Sequence, residues 1–295
     1  MIRIHFVKNG WLLLLATVLT FGTVQAQQNF GGLALYTLRD NMNADVASTL
    51  QQVADIGYGY VEAAGYSEGK FYGMEPSNFK ALLNSKGLEP MSTHQRVVDM
   101  EETDAMVAAV KEAGFKYFVV PSPPRSLVEV DRETRTMKMK GSLDDFVDFL
   151  TELGKKCEKA GIQLLYHNHD MELKMDENGD KPLDYLLKHT DPKYVNFQMD
   201  LFWMTRANAD PVAYFEKYPG RFKSWHVKDM DQEDRFAPVG EGKIDFKRIL
   251  DHMEESGMQH FFVEQDRVFD GMEPLEAIKI SHKGLKQFGF NKTIE

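Results

Sequence analysis

Acidic and histidine side chains stand at the ends of several short apolar runs in this 295-residue chain. Asp200 ends one run, His226 lies near the end of the next, and Glu264 ends the one after that. A buried carboxylate at the end of an apolar strand is costly unless a cation meets it. Mixed carboxylate and imidazole ligands suit Mn, Zn, Co, Fe or Mg. The pattern therefore predicts a divalent metal site formed by Asp200, His226 and Glu264.

A fourth metal ligand is expected from the preceding run, which continues into the segment YHNHDME. His167 is the last residue of that run and is the first choice, while His169 and Glu172 are alternatives. A single histidine at a strand end is often only hydrogen-bonded. Four such residues on consecutive strands are much less easily explained as accident.

These side chains can meet only if the fold brings the ends of the runs together. Short β-type runs alternate with amphipathic segments of period near 3.6 throughout the chain after residue 26. Several amphipathic segments end on a glycine directly before the next run, as at Gly57, Gly114 and Gly161. Eight strands are predicted, at 32–36, 60–63, 89–93, 117–121, 163–167, 195–200, 223–227 and 261–264.

Eight βα units predict a single-domain α/β protein, a (β/α)8 barrel, over residues 27–295. An open doubly wound sheet would normally have fewer strands and a phosphate-binding glycine cluster, and the chain has no GxGxxG or GxxxxGK motif. Reacting groups of a barrel gather at the C-terminal ends of its strands. One connection is unusually long, the 20 residues 122–141, and is expected either to cover a site there or to be a solvated excursion.

The first 26 residues have the pattern of a secretory signal peptide. Arg3 and Lys8 precede the apolar run 11–24, and Val24 and Ala26 form a small-x-small cleavage signal. The apolar run is about 14 residues long, whereas a membrane-spanning helix needs roughly 20, so an uncleaved anchor is the less favoured alternative. The mature protein is expected to be exported to the periplasm or secreted, without a membrane attachment.

Charge and cysteine content narrow the class of protein further. The chain has 35 Lys plus Arg against 45 Asp plus Glu, a net charge of −10, which argues against a nucleic-acid surface. Cys157 is the single cysteine, so no internal disulfide can form. It shares one face of a predicted helix with Phe146, Leu150 and Leu153 and is expected to be buried packing, not a nucleophile.

Six segments taken in order resemble the xylose isomerase-like barrel superfamily, and within it the sugar phosphate isomerase/epimerase group. They are GLALYTLRD, YVEAAGY, YHNHDME, MDLFW, WHVKDMD with the later GEGKIDF, and FVEQD. The resemblance implies that strands five to eight supply Glu, Asp, His and Glu to a metal that binds vicinal sugar oxygens. Asp200, His226 and Glu264 match this set, whereas His167 stands where the family has its first Glu.

Such a site would favour removal of a proton next to a sugar carbonyl, because the developing negative charge spreads onto the metal. Glu62 could orient a substrate hydroxyl. A salt bridge to Asp229 or Asp231 is the alternative role for Lys228. Four side chains are candidates for the base that moves the proton: His94, His169, Glu172 and Lys228.

Other side chains near the strand ends suggest how a sugar would bind. Arg39 and Arg206 could meet a phosphate or carboxylate, but export and the negative net charge favour a neutral or oxidised sugar. Four aromatic residues could stack on a sugar face or simply pack in the barrel: Tyr36, Tyr66, Phe202 and Trp203.

The favoured function is a metal-dependent sugar isomerase or epimerase. A lyase or hydratase that acts on 3-keto-glycosides with the same site is the first alternative, and a non-catalytic sugar-binding barrel is the second. The DNA-repair branch of the superfamily needs a basic surface, which the acidic composition opposes. The sequence leaves open the natural sugar, the metal and whether the chain forms a homo-oligomer.

Overall fold

The computed structural model describes residues 29–130, 137–176 and 179–292. The predicted signal peptide, residues 1–26, lies outside these described residues. Among the helices that are described, none has both the length and the apolar character needed to cross a bilayer.

Eight parallel strands close into a barrel, which confirms the predicted (β/α)8 fold. The order around the barrel is β1-β8-β7-β6-β5-β4-β3-β2, so each strand pairs with its neighbours in sequence and β1 pairs with β8. The strands are β1 Gly32–Ala34, β2 Tyr60–Ala63, β3 Glu89–His94, β4 Tyr117–Val120, β5 Gln163–His167, β6 Val195–Asp200, β7 Phe222–Val227 and β8 His260–Val263.

Three strand ends differ from the prediction by residues that matter for the site. β1 stops at Ala34 because Leu35–Leu38 form a 3-10 helix with both leucines buried, and a buried apolar run does not distinguish strand from helix. β3 extends through His94, and β8 stops at Val263. Glu264 is therefore the first residue beyond its strand.

Helices connect the strands on the outside of the barrel. Several end on a glycine in the left-handed conformation, as predicted, including Gly57, Gly114 and Gly161. The α-helices of the described residues are α1 Arg39–Ala44, α2 Val46–Ile56, α3 Pro76–Ser85, α4 Thr103–Ala113, α5 Leu143–Ala160, α6 Pro182–His189, α7 Leu201–Arg206, α8 Pro211–Lys217, α9 Phe246–Leu250, α10 Met253–Ser256 and α11 Pro274–Phe288.

The helix α5 confirms the prediction for Cys157. Ser142 and Asp145 form a capping box at its N-terminus, which fixes where the helix begins. Phe146, Leu150 and Cys157 then fall on one face and are 0–1% exposed. Burial raises the pKa of the Cys157 thiol to about 12, so the thiol stays neutral and packs as a small apolar group.

The barrel interior is apolar at one end and polar at the other. The apolar layer is formed by Tyr60, Met91, Tyr117, Val119, Leu165 and Phe262. Towards the C-terminal ends of the strands, the inward positions change to polar residues that are almost fully buried: Glu62, Ser92, Gln198, Ser224 and His226. Such buried polar side chains require hydrogen-bond partners inside the protein. This layer is therefore the candidate region for a functional site.

The long connection 122–141 has structure of its own. A 3-10 turn at Arg125–Leu127 is followed by two antiparallel strands, Val128–Val130 and Met137–Met139. Apolar and charged residues alternate in both strands, but each run is only three residues long, which is too short to predict a strand from the pattern.

His282 on α11 secures the first βα unit and is expected to make stability depend on pH. Its ring packs on Phe30 and Tyr58, and its Nε2–H donates to the carbonyl of Gly57 at 3.0 Å. Gly57 has φ of 112°, and a Cβ there would lie 2.9 Å from the imidazole. Burial, with the nearby Lys286, lowers the pKa of His282 to about 4, so the neutral ring is the form that fits the fold.

The pKa of His282 in the folded protein lies below its unfolded value near 6.5. The stabilisation that His282 adds to the free energy of unfolding is therefore complete above pH 6.5 and is lost as the pH falls towards 4. We expect this group to lower the free energy of unfolding by on the order of 1–2 kcal/mol between pH 7.5 and pH 4.5. Thermal melts across that range should show a shallower dependence in His282→Gln, which keeps a donor without titrating. Equal slopes in the two proteins would exclude this role.

Candidate active site

The side chains predicted to hold a metal lie together at the C-terminal end of the barrel. Asp200 ends β6 and is the register partner of His226 in β7, and Glu264 directly follows β8. Nδ1 of His226 is 2.9 Å from Oε2 of Glu264 and 3.8 Å from Oδ2 of Asp200. All three side chains are buried, and one ligand atom from each lies within 4.8 Å of the others. Neighbouring parallel strands explain this convergence, because matching register positions face the same end of the barrel.

His167 approaches the same group from β5. Its Nε2 is 3.7 Å from Oδ2 of Asp200, and its Nδ1 is 2.9 Å from Oε1 of Gln198. The Gln198 amide is oriented by its Nε2, which donates to Glu62 at 2.7 Å, so its Oε1 must accept. His167 is thereby assigned a proton on Nδ1 and a lone pair on Nε2 that faces Asp200. This is the tautomer that a fourth metal ligand needs.

Glu62, at the end of β2, positions His226 from the opposite side. Its Oε1 accepts from Nε2 of His226 at 2.6 Å and lies 3.0 Å from Nε2 of His94. Its Oε2 accepts from the Ser92 hydroxyl at 2.6 Å and from the Gln198 amide. The acceptor capacity of Glu62 is therefore used inside the protein. A carboxylate on the second nitrogen is the usual outer partner of a metal-binding histidine.

Lys228 brings a buried ammonium to the carboxylates of the predicted ligands. Nζ lies 2.8 Å from Oδ2 of Asp200, 2.5 Å from Oε2 of Glu264 and 2.9 Å from Oδ2 of Asp266. Only 1% of the lysine is exposed, so this is a desolvated ion network.

Asp229 has a separate task, which is to organise the loop after β7. A Cβ on Gly242 would lie 2.2 Å from Oδ1 of Asp229, so this close approach requires glycine. Asp231 pairs with Arg235 at 2.7 Å. The alternative of a salt bridge from Lys228 to Asp229 or Asp231 is therefore wrong. Asp229 accepts four backbone N–H bonds of 2.8–3.1 Å, from Met230, Gly240, Gly242 and Ile244.

Mutual charge compensation shifts the pKa values in this network. Burial lowers the pKa of His226, but Glu264 and Glu62 outweigh it and raise the pKa to about 10. Burial also opposes the charge on Lys228, yet Asp200 and the neighbouring carboxylates raise its pKa well above the usual value. Burial raises the pKa of Glu264, but Lys228 and His226 reverse this and hold it well below the usual range. For Asp200 burial prevails, and its pKa is raised.

The surroundings of Asp200 fit a cation. Its Oδ1 accepts from the backbone N–H of Trp203 at 2.9 Å, whereas the buried Oδ2 receives no aligned hydrogen bond, although Lys228 is near. Two atoms that each lie 2.0–2.2 Å from one ion are within roughly 4.4 Å of each other. The distances from His226 to Asp200 and Glu264 meet that condition. The residues present can thus hold a divalent metal.

The structure separates the remaining candidates for the base. His94 and His169 both line the cavity above the predicted metal ligands. Glu172 lies apart, since its Oε1 accepts from the Tyr166 hydroxyl at 2.6 Å and its Oε2 accepts from the backbone N–H of His169 at 2.8 Å. Glu172 therefore shapes the loop after β5 and does not line the cavity.

A cavity of about 680 Å³ opens over the network. His94, His167 and Glu264 form its polar side. The first part of the long connection, residues 122–128, also lines the cavity and therefore contributes to the site. The residues it places there are Ser122, Pro123, Arg125 and Val128.

The four aromatic candidates have different surroundings. Tyr36 lines the cavity. Tyr66 packs on Phe71 with a centroid distance of 5.2 Å and does not line the cavity. Phe202 and Trp203 pack against Phe236 beside Lys228.

The two predicted arginines already have partners within the protein. Arg39 donates to the backbone carbonyls of Tyr36 and Asp266 at 3.2 and 3.1 Å. The guanidinium of Arg206 lies 5.3 Å from the ring centre of Trp203. Neither lines the cavity, whereas Arg96 and Arg125 do.

Gln198 and Asp266 were missed by the sequence analysis. Gln198 joins Glu62, His94 and His167 and stands two residues before Asp200 in β6. Because alternate residues of a strand share a face, a polar residue at that spacing was a usable signal. Asp266 lies beyond β8 in an irregular segment, where no such periodicity applies.

Comparison with known proteins agrees with this architecture. A sugar phosphate isomerase/epimerase from Parabacteroides distasonis superposes with a TM-score of 0.75 at 27% identity, over 89% of this chain and 99% of that one. The IolI protein, solved with a zinc atom bound, shares the fold with a TM-score of 0.64 at 18% identity, over 87% and 96% of the two chains.

An inosose dehydratase from Lacticaseibacillus casei is 28% identical over 138 residues, which are 40% of this chain and 45% of the relative. The chain thus spans about half the length of that curated relative. The family described as xylose isomerase-like TIM barrel matches residues 50–287. With its closed eight-stranded barrel and this match over most of its length, the chain belongs to the xylose isomerase-like TIM barrel family.

Proposed function

We propose that this chain is a metal-dependent enolising enzyme that acts on a sugar or keto-sugar, with isomerisation or epimerisation as the outcome. The observation that carries the proposal is the convergence of Asp200, His226 and Glu264 below a cavity, with His226 held by Glu62 from behind. The likeness to sugar phosphate isomerase/epimerases supports the same class of reaction.

A divalent metal, when bound, would polarise a substrate carbonyl and lower the barrier to removing the neighbouring proton. Asp200, His226 and Glu264, with Nε2 of His167, would hold it. Glu62 keeps His226 in the orientation that presents Nδ1 to the site.

Proton transfer would fall to side chains that line the cavity. His94 and His169 reach it from β3 and from the loop after β5. Lys228 does not line the cavity, and its ammonium is held by Asp200, Glu264 and Asp266, so it fixes the carboxylates beneath the cavity. The site thus offers two histidines that can take a proton and return it, as enolisation requires.

Elimination is the second candidate outcome, since the curated relative reported above is named inosose dehydratase. After His94 or His169 has taken the same proton from carbon, that histidine could give it to a departing hydroxyl or glycosyl oxygen. The proton then ends on the leaving group, and a carbon–carbon double bond replaces the carbon–oxygen bond.

Proton NMR in D2O tests the shared step and separates the outcomes. The protein, loaded with Mn, Zn or Co and then freed of excess metal, is incubated with aldoses, ketoses, inososes and 3-keto-glycosides. Exchange of a proton next to a carbonyl supports enolisation, and a new stereoisomer or a released fragment identifies the outcome. Binding without exchange in every case would favour a sugar-binding barrel and overturn the proposal.

One divalent metal per chain is expected to bind the purified protein. Asp200→Asn, which keeps the shape but removes the charge of the carboxylate, should lower metal affinity by roughly a hundredfold or more. Elemental analysis and calorimetric titration give stoichiometry and affinity. Asp184→Asn, in an ion pair on the outside of the barrel, serves as the control. Stoichiometry far below one in the wild-type protein would refute the metal site.

We further propose export with cleavage after Ala26, which leaves Gln27 as the first residue. The basic start, the apolar run 11–24 and the small residues at 24 and 26 support it. Intact mass of the protein from its native source should match residues 27–295. Protein that retains residues 11–24 in a membrane fraction would contradict the proposal.

A further inference from the structure

Two arginines on the cavity wall have no partner in the described part of the chain. Arg96 and Arg125 are exposed and line the cavity, yet neither guanidinium contacts a carboxylate, a carbonyl or an aromatic ring there. Arg267 is also unpartnered but does not line the cavity. Among the described residues the other five arginines all have partners: Arg39, Arg206, Arg221, Arg235 and Arg248.

The loops that carry the two arginines are joined to each other. The backbone N–H of Arg125 donates to the carbonyl of Val97 at 3.4 Å, and that of Ser126 donates to the carbonyl of Val98 at 3.1 Å. The N–H of Val98 in turn donates to the carboxylate of Glu102 at 2.5 Å. The loops after β3 and β4 therefore present both guanidinium groups from one connected surface.

Acidic side chains of the cavity do not neutralise this surface, because they are paired elsewhere. Asp170 lies 2.9 Å from Lys174, and Asp266 lies 2.9 Å from Lys228. Among the described residues, the arginines are thus the uncompensated charges of the cavity wall, in a protein with net charge −10.

Apolar side chains adjoin the arginines. Val97, Val98, Pro123 and Val128 line the same side of the cavity, and Val98 is 44% exposed, unusual among large apolar side chains of the described residues. A cavity of about 680 Å³ falls in the range that encloses drug-sized ligands, so it has room for a sugar ring and a substituent.

We propose that this wall is a second subsite, which binds a substituent with an apolar ring and one carboxylate while the sugar ring lies over His167 and Glu264. The assignment of the sugar ring rests on the proposed function. Arginine suits a carboxylate because its planar fork forms two parallel charge-assisted hydrogen bonds. A single negative charge is also tolerated by the acidic protein, whereas a polyanion would be repelled at long range.

A matched pair of ligands tests the subsite without requiring turnover. The probes are 4-carboxyphenyl β-D-glucopyranoside and its 4-carbamoylphenyl analogue, which have nearly the same shape but differ in charge. Titration of the full protein, followed by calorimetry or ligand-observed NMR, should show the carboxylate binding about ten- to a hundredfold more tightly. The difference should shrink at high salt, because both arginines are exposed.

Variants assign the preference to the two arginines. The double variant Arg96→Gln/Arg125→Gln should bind the two probes equally, while Arg267→Gln should keep the wild-type preference. A second pair of probes, 4-hydroxybenzoate and 4-hydroxybenzamide, contains no sugar. Comparing their binding measures the carboxylate preference of the cavity wall even if the proposed reaction fails. Equal binding of acid and amide by the wild-type protein, or a preference unaffected by the double variant, would overturn the subsite.

Discussion

Turnover by the Glu264→Gln variant is expected to fall by on the order of a thousandfold, with the fold intact. Glu264 is 4% exposed, and its Oε2 lies 2.9 Å from Nδ1 of His226 and 2.5 Å from Nζ of Lys228. The amide has nearly the same volume, so it creates no cavity, but it removes the charge that a metal and the ammonium both use. Lys228 keeps Asp200 and Asp266 as partners, which is why we expect the barrel to remain folded.

Rates at saturating metal, with thermal melts alongside, measure this effect. Glu89→Gln is the matched control, since Glu89 begins β3 at the opposite end of the barrel and is exposed. Rates near those of the wild-type protein would remove Glu264 from the reaction. A variant that also melted far below the control would direct the test to Glu264→Asp, which keeps the charge and should recover part of the rate if charge is what matters.

Strand ends carried most of the information that the sequence held about the site. Asp200, His226 and Glu264 were recognisable because each polar residue interrupts an apolar run where a barrel strand must end. The closed barrel converts that one-dimensional pattern into proximity, since neighbouring strands are parallel and in register. The fold was predictable for the same reason, as alternation and glycine ends repeat through the chain.

Partners across the barrel were not predictable in this way. Both Glu62 and Glu172 were candidates, yet Glu62 bonds to His226 across the barrel and Glu172 bonds to its own loop. Which acceptor each carboxylate finds depends on side-chain direction and on distances between residues far apart in sequence, which periodicity does not encode. The role of Asp229 shows the same limit, because its four N–H donors belong to a loop that has no regular pattern.

Loss of the buried ammonium in Lys228→Met is expected to destabilise the metal-free protein by about 3–5 kcal/mol. Among the described residues, Asp200 and Glu264 would then keep His226 as a cationic partner, whereas Asp266 would lose its ion pair. For a chain of this size, 1 kcal/mol corresponds to roughly 2–4 °C in Tm, so the metal-free variant should melt about 6–20 °C below the wild-type protein. Methionine preserves most of the side-chain volume, so the loss would reflect charge and not a cavity.

A divalent metal should reverse much of that loss, because it binds the same carboxylate oxygens that the ammonium contacts. The rise in Tm on addition of Mn or Zn is therefore expected to be larger in Lys228→Met than in the wild-type protein. Lys217→Met is the control, since Lys217 pairs with Asp184 on the surface and 59% of its side chain is exposed. An equal metal-induced rise in both proteins would mean that Lys228 and the metal do not share Asp200 and Glu264, and would place the metal on the other histidine group, formed by His94, His167 and His226.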